Sequence, residues 1–309
     1  MAEETSDLTV RPISGPEELD LFNQIPYVLN EEVAGDLAAG RRHTQWMWMA
    51  LRDDRLVARL AWWARAGRTE PMVLDIFDFE DVSDGIRLVH EAMAKTVASD
   101  GPKPEYSRFV TPHWRDSPQT RQPVEQRMFA LQQTGASLFV ERLRLEWTPG
   151  TPIAEPTGRL TFRPADDRDE LIGLMAQVLD GTLDAYSRAD LTRMTAMQAA
   201  AQQYQDEFMT FTTPREWWQI AMLPGGEPVG FVIPARNAYH PIIAYVGVLP
   251  KHRGHGYIDE VLAEGVRILA AQDVPRIRAA TDLGNVPMAR AFERAGFVNF
   301  ERQIDMTWS

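Results

Sequence analysis

Val246-Gly247-Val248-Leu249-Pro250-Lys251-His252-Arg253-Gly254-His255-Gly256-Tyr257-Ile258 joins an apolar run to a helix-like pattern through a loop holding two glycines. Ile242 to Leu249 is short and continuously apolar, the signature of a strand buried on both faces. Tyr257 to Gln272 places apolar residues at Ile258, Val261, Leu262, Val266 and Leu269, which predicts an amphipathic helix. A strand that runs into a glycine-bearing loop and then a helix is an anion cradle. The first helical amides lack intrahelical partners, the macrodipole is positive there, and glycine lets a phosphate approach the backbone. Lys251 and Arg253 are expected to add charge-assisted donors. A plain turn with surface basic residues is the competing reading, and the position at a strand-to-helix junction favours phosphate. The loop lacks both G-x-x-x-x-G-K-[ST] and the full G-x-G-x-x-G, so nucleoside-triphosphate and dinucleotide folds are set aside.

Around this junction the pattern predicts strands at Leu160 to Pro164, Trp217 to Met222, Pro228 to Pro234, Arg276 to Ala280 and Phe300 to Trp308. Pro224-Gly225-Gly226 supplies the chemistry of a hairpin turn between the second and third of these. Helices are predicted over Asp169 to Leu179, Thr192 to Phe208 and Pro287 to Arg294, the last stopped by Gly296. The result is an α/β unit with a mixed sheet.

Arg253-Gly254-His255-Gly256-Tyr257 resembles R-x-x-G-x-[GA], the pyrophosphate loop of the GNAT family of acetyl-CoA-dependent N-acetyltransferases. Val246 to Pro250 resembles the strand that leads into that loop. Asn285-Val286-Pro287-Met288 and Ala291-Phe292-Glu293-Arg294-Ala295-Gly296-Phe297 resemble the family's second cofactor segment. The resemblance covers about residues 160 to 308. It implies that the backbone of Arg253, Gly254, His255, Gly256, Tyr257 and Ile258 holds the pyrophosphate of acetyl-CoA. Backbone groups of Val246 and Val248 would pair with the pantetheine arm and the thioester, while Asn285 and the segment around Phe292 line the rest of the arm. Ile258 stands where the motif has a small residue. Phe292 stands where many members carry a tyrosine that protonates the leaving thiolate.

A phenyl ring donates no proton, so Tyr245 and Tyr257 become candidate acids. Acyl transfer to an amine also needs a base to free the nucleophile. Simple alternation would place His240, Ile242, Ala244 and Val246 on one strand face, with Tyr239, Ile243 and Tyr245 on the other. His240 is then one base candidate, and Asp282, at the mouth of the next strand, is the other. Each also has an ordinary structural reading, as a strand-end histidine or a turn carboxylate.

The pattern repeats. Leu8-Thr9-Val10-Arg11-Pro12 matches Leu160-Thr161-Phe162-Arg163-Pro164, and Glu141-Arg142 before Trp147 matches Glu301-Arg302 before Trp308. Trp46, Val57 and Gly85 answer Trp217, Val229 and Gly256. The fold class expected is therefore α/β, two tandem GNAT-like domains, each a mixed, mostly antiparallel sheet flanked by helices. Residues 1–150 form a degenerate domain without a cofactor loop, 151–158 a proline-rich linker and 159–309 the acetyl-CoA-binding domain. In the first copy the strand Met72 to Phe79 runs into Glu80-Asp81-Val82-Ser83-Asp84-Gly85. These carboxylates would repel pyrophosphate. The cluster Trp46, Trp48, Trp62 and Trp63 reads as core, with a substrate-facing wall as its alternative.

The 309 residues hold 32 Lys+Arg against 44 Asp+Glu, a formal charge of −12, and no cysteine. Thiolate metal sites and cysteine nucleophiles are excluded. His252 and His255 lie beside two cations and make a poor metal site, so no metal is expected. The acidic surplus disfavours nucleic-acid binding. No apolar run approaches the ~20 residues of a membrane span, and Met1-Ala2-Glu3-Glu4 lacks the pattern of a signal peptide, so a cytoplasmic protein is expected. The partner expected is a small-molecule amine, with oligomeric state open. The leading function is N-acetyl transfer. A non-catalytic acyl-CoA-binding or regulatory module and a transferase using another acyl donor are the alternatives.

Overall fold

A computed structural model describes residues 7–98, 101 and 103–308, so Met1-Ala2-Glu3-Glu4 lies outside the described residues. The chain forms two compact units. One comprises residues up to Val140 together with those from Gln303 onward, the other Glu141–Arg302.

The first unit contains β1 (Thr9–Pro12), α1 (Leu19–Phe22), α2 (Asn30–Ala38), β2 (Met47–Arg52), β3 (Arg55–Trp63), β4 (Val73–Phe79), α3 (Val82–Thr96), β5 (Glu105–Val110), α4 (Pro118–Gln132) and the beginning of β6 (Ala136–Trp147). Strands β1 to β4 pair antiparallel in sequence order, and β5 joins β4 in parallel at Val73↔Glu105 and Leu74↔Tyr106. Trp46, Trp48 and Trp62 are buried with Leu88, Val89 and Ala92 of α3, which makes them core and not a wall. Phe22 and Val33 of the first two helices close another cluster with Met47, Met49 and Ile76. Ile304 and Met306 supply two further buried side chains.

At the position matching the glycine loop, this unit satisfies itself. Asp81 caps α3 by accepting from the Ser83 amide at 2.7 Å, and Asp84 pairs with Arg52 at 2.5 Å. Where β4 and β5 part, Arg127 of α4 donates to the Phe77 carbonyl and to Asp78, both at 2.8 Å. Asp78 is fully buried and also meets Arg59 and Arg108, each at 3.0 Å. Burial would push its pKa up, but Arg108, Arg127 and Arg59 together hold it below the ordinary carboxylate value.

The second unit continues β6 and adds β7 (Thr161–Pro164), α5 (Arg168–Val178), α6 (Ala185–Leu191), α7 (Ala196–Asp206), β8 (Gln219–Met222), β9 (Pro228–Arg236), β10 (Pro241–Val248), α8 (Tyr257–Ala270), β11 (Ile277–Asp282), α9 (Val286–Arg294) and the beginning of β12 (Val298–Trp308). The predicted strands are all present. The helix predicted over Thr192 to Phe208 is present as α7, shorter at its start, and α6 lies before the predicted span. The chain breaks at Thr192 to Thr195, and Thr195 with Gln198 forms a capping box that starts α7 afresh. The sheet order is β6-β11-β10-β9-β8-β7, antiparallel except for β10 with β11. Helices α8 and α9 bury Val261, Leu262, Val266 and Phe292 on one face. Helices α5 and α7 bury Leu171, Met175 and Tyr204 on the other, against Trp218, Ile220 and Phe231.

The proline-rich run does not coincide with the passage between units, because strand pairing and not composition decides membership. Residues 142 to 147 of β6 pair with β11 in an unbroken register from Asp282↔Arg142 to Ile277↔Trp147. The repeated Glu-Arg dipeptides meet here. Arg302 reaches Glu141 at 3.1 Å, and Arg144 pairs with Glu301.

Candidate functional site

Strands β10 and β11 are in register only at Ile242↔Arg278, after which β10 leaves its neighbour and continues to Val248. Its other edge stays bonded to β9, through Val246↔Val232 and Val248↔Gly230. An extended, amide-bearing molecule can add to such an open edge as a strand would. That pairing needs a very close approach of backbone. A Cβ at Gly230 would lie 2.2 Å from the Gly247 carbonyl oxygen, and one at Gly247 would lie 2.7 Å from Val178 of α5.

A β-bulge corrects the expected alternation. Register passes from Ile243↔Pro234 to Tyr245↔Ile233, so Ala244 is the extra residue. Ile243 and Val246 therefore both face the α8 side, while Ala244 and Tyr245 face the α5 side. Phase counted from His240 is lost at this point.

Beyond Val248 one helical turn, Pro250–His252, leads into Gly254 (φ 80°) and Gly256 (φ 75°), both left-handed. Among the described residues nothing accepts a hydrogen bond from the amides of Gly254, His255, Gly256, Tyr257 or Ile258. Five successive free donors thus precede the positive end of α8. The acidic residues of its first turn are neutralised from outside. Asp259 pairs with Arg294 at 2.6 Å, and Glu260 pairs with Arg159 and bonds Thr157 at 2.7 Å. Arg159 also donates to the His255 carbonyl at 3.1 Å and lies over the Tyr257 ring, on which His255 stacks. Ile258 turns its bulk against the core cluster.

The two cations expected to point into the cradle are engaged elsewhere. Lys251 pairs with Glu227. Arg253 donates to the carbonyls of Val178 and Asp180 at 2.7 Å and of Val248 at 3.2 Å. Backbone amides, not these side chains, carry the donor capacity of the loop. Asn285 accepts from the Met288 amide at 3.4 Å and caps α9, and Phe292 is 2% exposed, edge-on to Phe297.

The candidate proton carriers are held in three different ways. His240 lies at the closed end of the gap, where its Nε2 accepts from Arg278 at 2.8 Å. Burial, then the charges of Arg278, Arg144 and Arg276, lower its pKa to about 4. Asp282 lies at the open end, buried, accepting from Arg142 Nε at 3.0 Å and from the Ala185 amide at 2.6 Å. Burial raises its pKa against those two bonds. Tyr245 packs among Phe208 and Phe231, and burial with the nearby charges of Asp184 and Glu207 raises its pKa, so it keeps its proton. Its hydroxyl has no hydrogen-bond partner among the described residues. The residues missed from sequence are Arg142, Arg159, Arg278 and Asp184. Only Arg142 carried a signal, through the repeated Glu-Arg dipeptide.

No cluster of His, Asp and Glu suited to a metal occurs among the described residues, and none of their helices is long and apolar enough to cross a membrane. No curated protein matches the sequence. Among solved structures, a GCN5-related N-acetyltransferase from Sphaerobacter thermophilus superposes with a TM-score of 0.61 at 16% identity, over 97% of this chain and 94% of that one. A tandem GNAT protein from the clavulanic acid biosynthesis pathway gives 0.53 at 16% identity, over 97% and 98%. A GNAT-family acetyltransferase from Colwellia psychrerythraea gives 0.50 at 13% identity, over 97% and 100%. These establish the fold along the chain. Residues 159–298, a little under half of the chain, match the acetyltransferase (GNAT) domain model, so this part of the chain carries a GNAT acetyltransferase domain.

Proposed function

We propose that the second unit is an N-acetyltransferase that moves acetyl from acetyl-CoA to a primary amine of a small molecule by direct attack on the thioester. The observation that carries this reading is the row of five unpaired amides from Gly254 to Ile258, set at the helix N-terminus beside the open edge of β10. The residues fit the cofactor: free donors and a helix dipole suit a pyrophosphate, and a strand edge suits an amide-bearing arm. Bound there, acetyl-CoA supplies an acyl group activated as a thioester.

The chain's own groups divide the remaining work. The backbone of Gly254 to Ile258 holds the anionic end, and Val246 and Val248 orient the arm. Tyr245, protonated across the physiological range, can give a proton to a leaving thiolate in place of the tyrosine replaced by Phe292. His240 is unprotonated at neutral pH, as a base must be, and takes a proton only by yielding its bond from Arg278. Asp282 is bonded at both oxygens and orients the mouth of the site.

These occupied bases favour one other reading, a module that binds an acyl-CoA without turnover. The two separate when the protein is incubated with acetyl-CoA and a panel of amines while free thiol is followed. Thiol release that depends on the amine is expected. Calorimetric binding of coenzyme A with no release above background would establish the binding module instead.

The fit of the first unit is different. Its α3 amides are capped by Asp81, and Arg127 spans the parting of β4 and β5. We infer that only the second unit takes the cofactor.

A further inference from the structure

We propose that Arg253 is a positioning residue that ties the cofactor loop to the segment between α5 and α6, so that this loop and the open end of the parting between β10 and β11 move as one. This rests on the acetyltransferase reading for its consequence in turnover, but the tie itself is independent of it.

The guanidinium makes three bonds, all to backbone carbonyls. Val178 ends α5, Asp180 lies two residues beyond it, and Val248 is the last residue of β10. A cation at a helix C-terminus also meets the negative end of the dipole. Two glycines allow the approach. Gly181 is left-handed (φ 63°), and a Cβ there would come within 3.3 Å of Arg253 Nη1. A Cβ at Gly247 would strike Val178. From Asp180 the chain runs only a few residues to Asp184, which caps α6 by accepting from Ser187 at 2.8 Å. The next amide, Ala185, donates to Asp282 at the mouth of β11, and Asp282 in turn accepts from Arg142. The segment 179 to 184 is thus pinned at one end by the loop that would hold pyrophosphate and at the other by the residue at the open end of the gap. Lysine keeps the charge but cannot serve three divergent acceptors.

The test is amide hydrogen exchange on the full chain, comparing wild type with Arg253→Lys. Arg253→Met is the second variant; it keeps a long unbranched side chain and removes every donor to Val178, Asp180 and Val248. Exchange at residues 179 to 185 is expected to quicken about tenfold or more in both variants, with or without coenzyme A. In turnover at saturating acetyl-CoA, the KM for the amine should rise about tenfold while kcat falls less than about threefold. Coenzyme A affinity measured by calorimetry should stay within about threefold of wild type for Arg253→Lys, because the amides and the charge are retained. Exchange at 179 to 185 that remains at the wild-type rate, or a rise confined to the KM for acetyl-CoA, would overturn the tie. Failure of wild type to bind coenzyme A would instead overturn the functional reading, leaving the exchange comparison to decide the tie by itself.

Discussion

His240 shows how far a single side chain can be judged from its place in the sequence. Its type was legible, but it sits in the turn just before β10 and not on the strand, and Arg278, which bonds its Nε2, gives no local signal. Folding lowers its pKa from 6.5 to about 4, so the unfolded chain binds the proton more readily between those values. The stability it contributes is intact above about pH 6.5 and is lost as the pH falls toward 4. Ring-proton NMR should find His240 unprotonated down to about pH 4. Arg278→Met should move its midpoint back toward 6.5, because the nearest cation is gone while burial remains. A midpoint near 6.5 in the wild type would contradict the environment described. Asp282 and Tyr245 were legible in the same limited sense. The bonds of Asp282 to Arg142 and to the Ala185 amide depend on residues that only the tertiary fold brings near.

At the level of elements, the strand, loop and helix from Ile242 to Gln272 could be read because three local signals agree there: an apolar run, turn glycines and a helical period. The bulge at Ala244 could not, since one extra residue leaves no trace in composition yet reverses which face every later side chain meets. Helix α6 was hidden for another reason: at seven residues it is too short to display a helical period. The two helix N-termini make a matched test. Gly256→Ala puts a side chain on a left-handed residue with open space around it, so it should cost about 1–2 kcal/mol of backbone strain and weaken coenzyme A binding. Asp81→Ala removes the α3 cap and should cost about 1 kcal/mol while leaving coenzyme A binding unchanged. Chemical denaturation and calorimetry read both. Equal losses of affinity would mean that the two loops are not the unlike pair their hydrogen bonds indicate.

Across the whole molecule, the duplication was visible in the matched opening strands and in the Glu-Arg dipeptides, but not the way its copies are completed. Composition pointed to a division at the proline-rich run, while residues 142 to 147 pair with β11 and Ile304 and Met306 are buried with the first unit. Fragments 1–150 and 159–309, produced separately, should therefore each be deficient. The first loses two buried side chains, together worth roughly 3–6 kcal/mol, and the second loses a neighbour of β11. Poor solubility or low melting temperature of either fragment alone, with recovery on co-expression, is the expected result. Two independently stable fragments would refute it.

Vectorial synthesis gives that arrangement a temporal consequence. The unit built from the earliest residues still lacks Ile304 and Met306 when all of Glu141–Arg302 has been translated. On the ribosome the first unit made is the last to close, and until its final strand emerges it must wait with an apolar groove bare, a natural station for a chaperone.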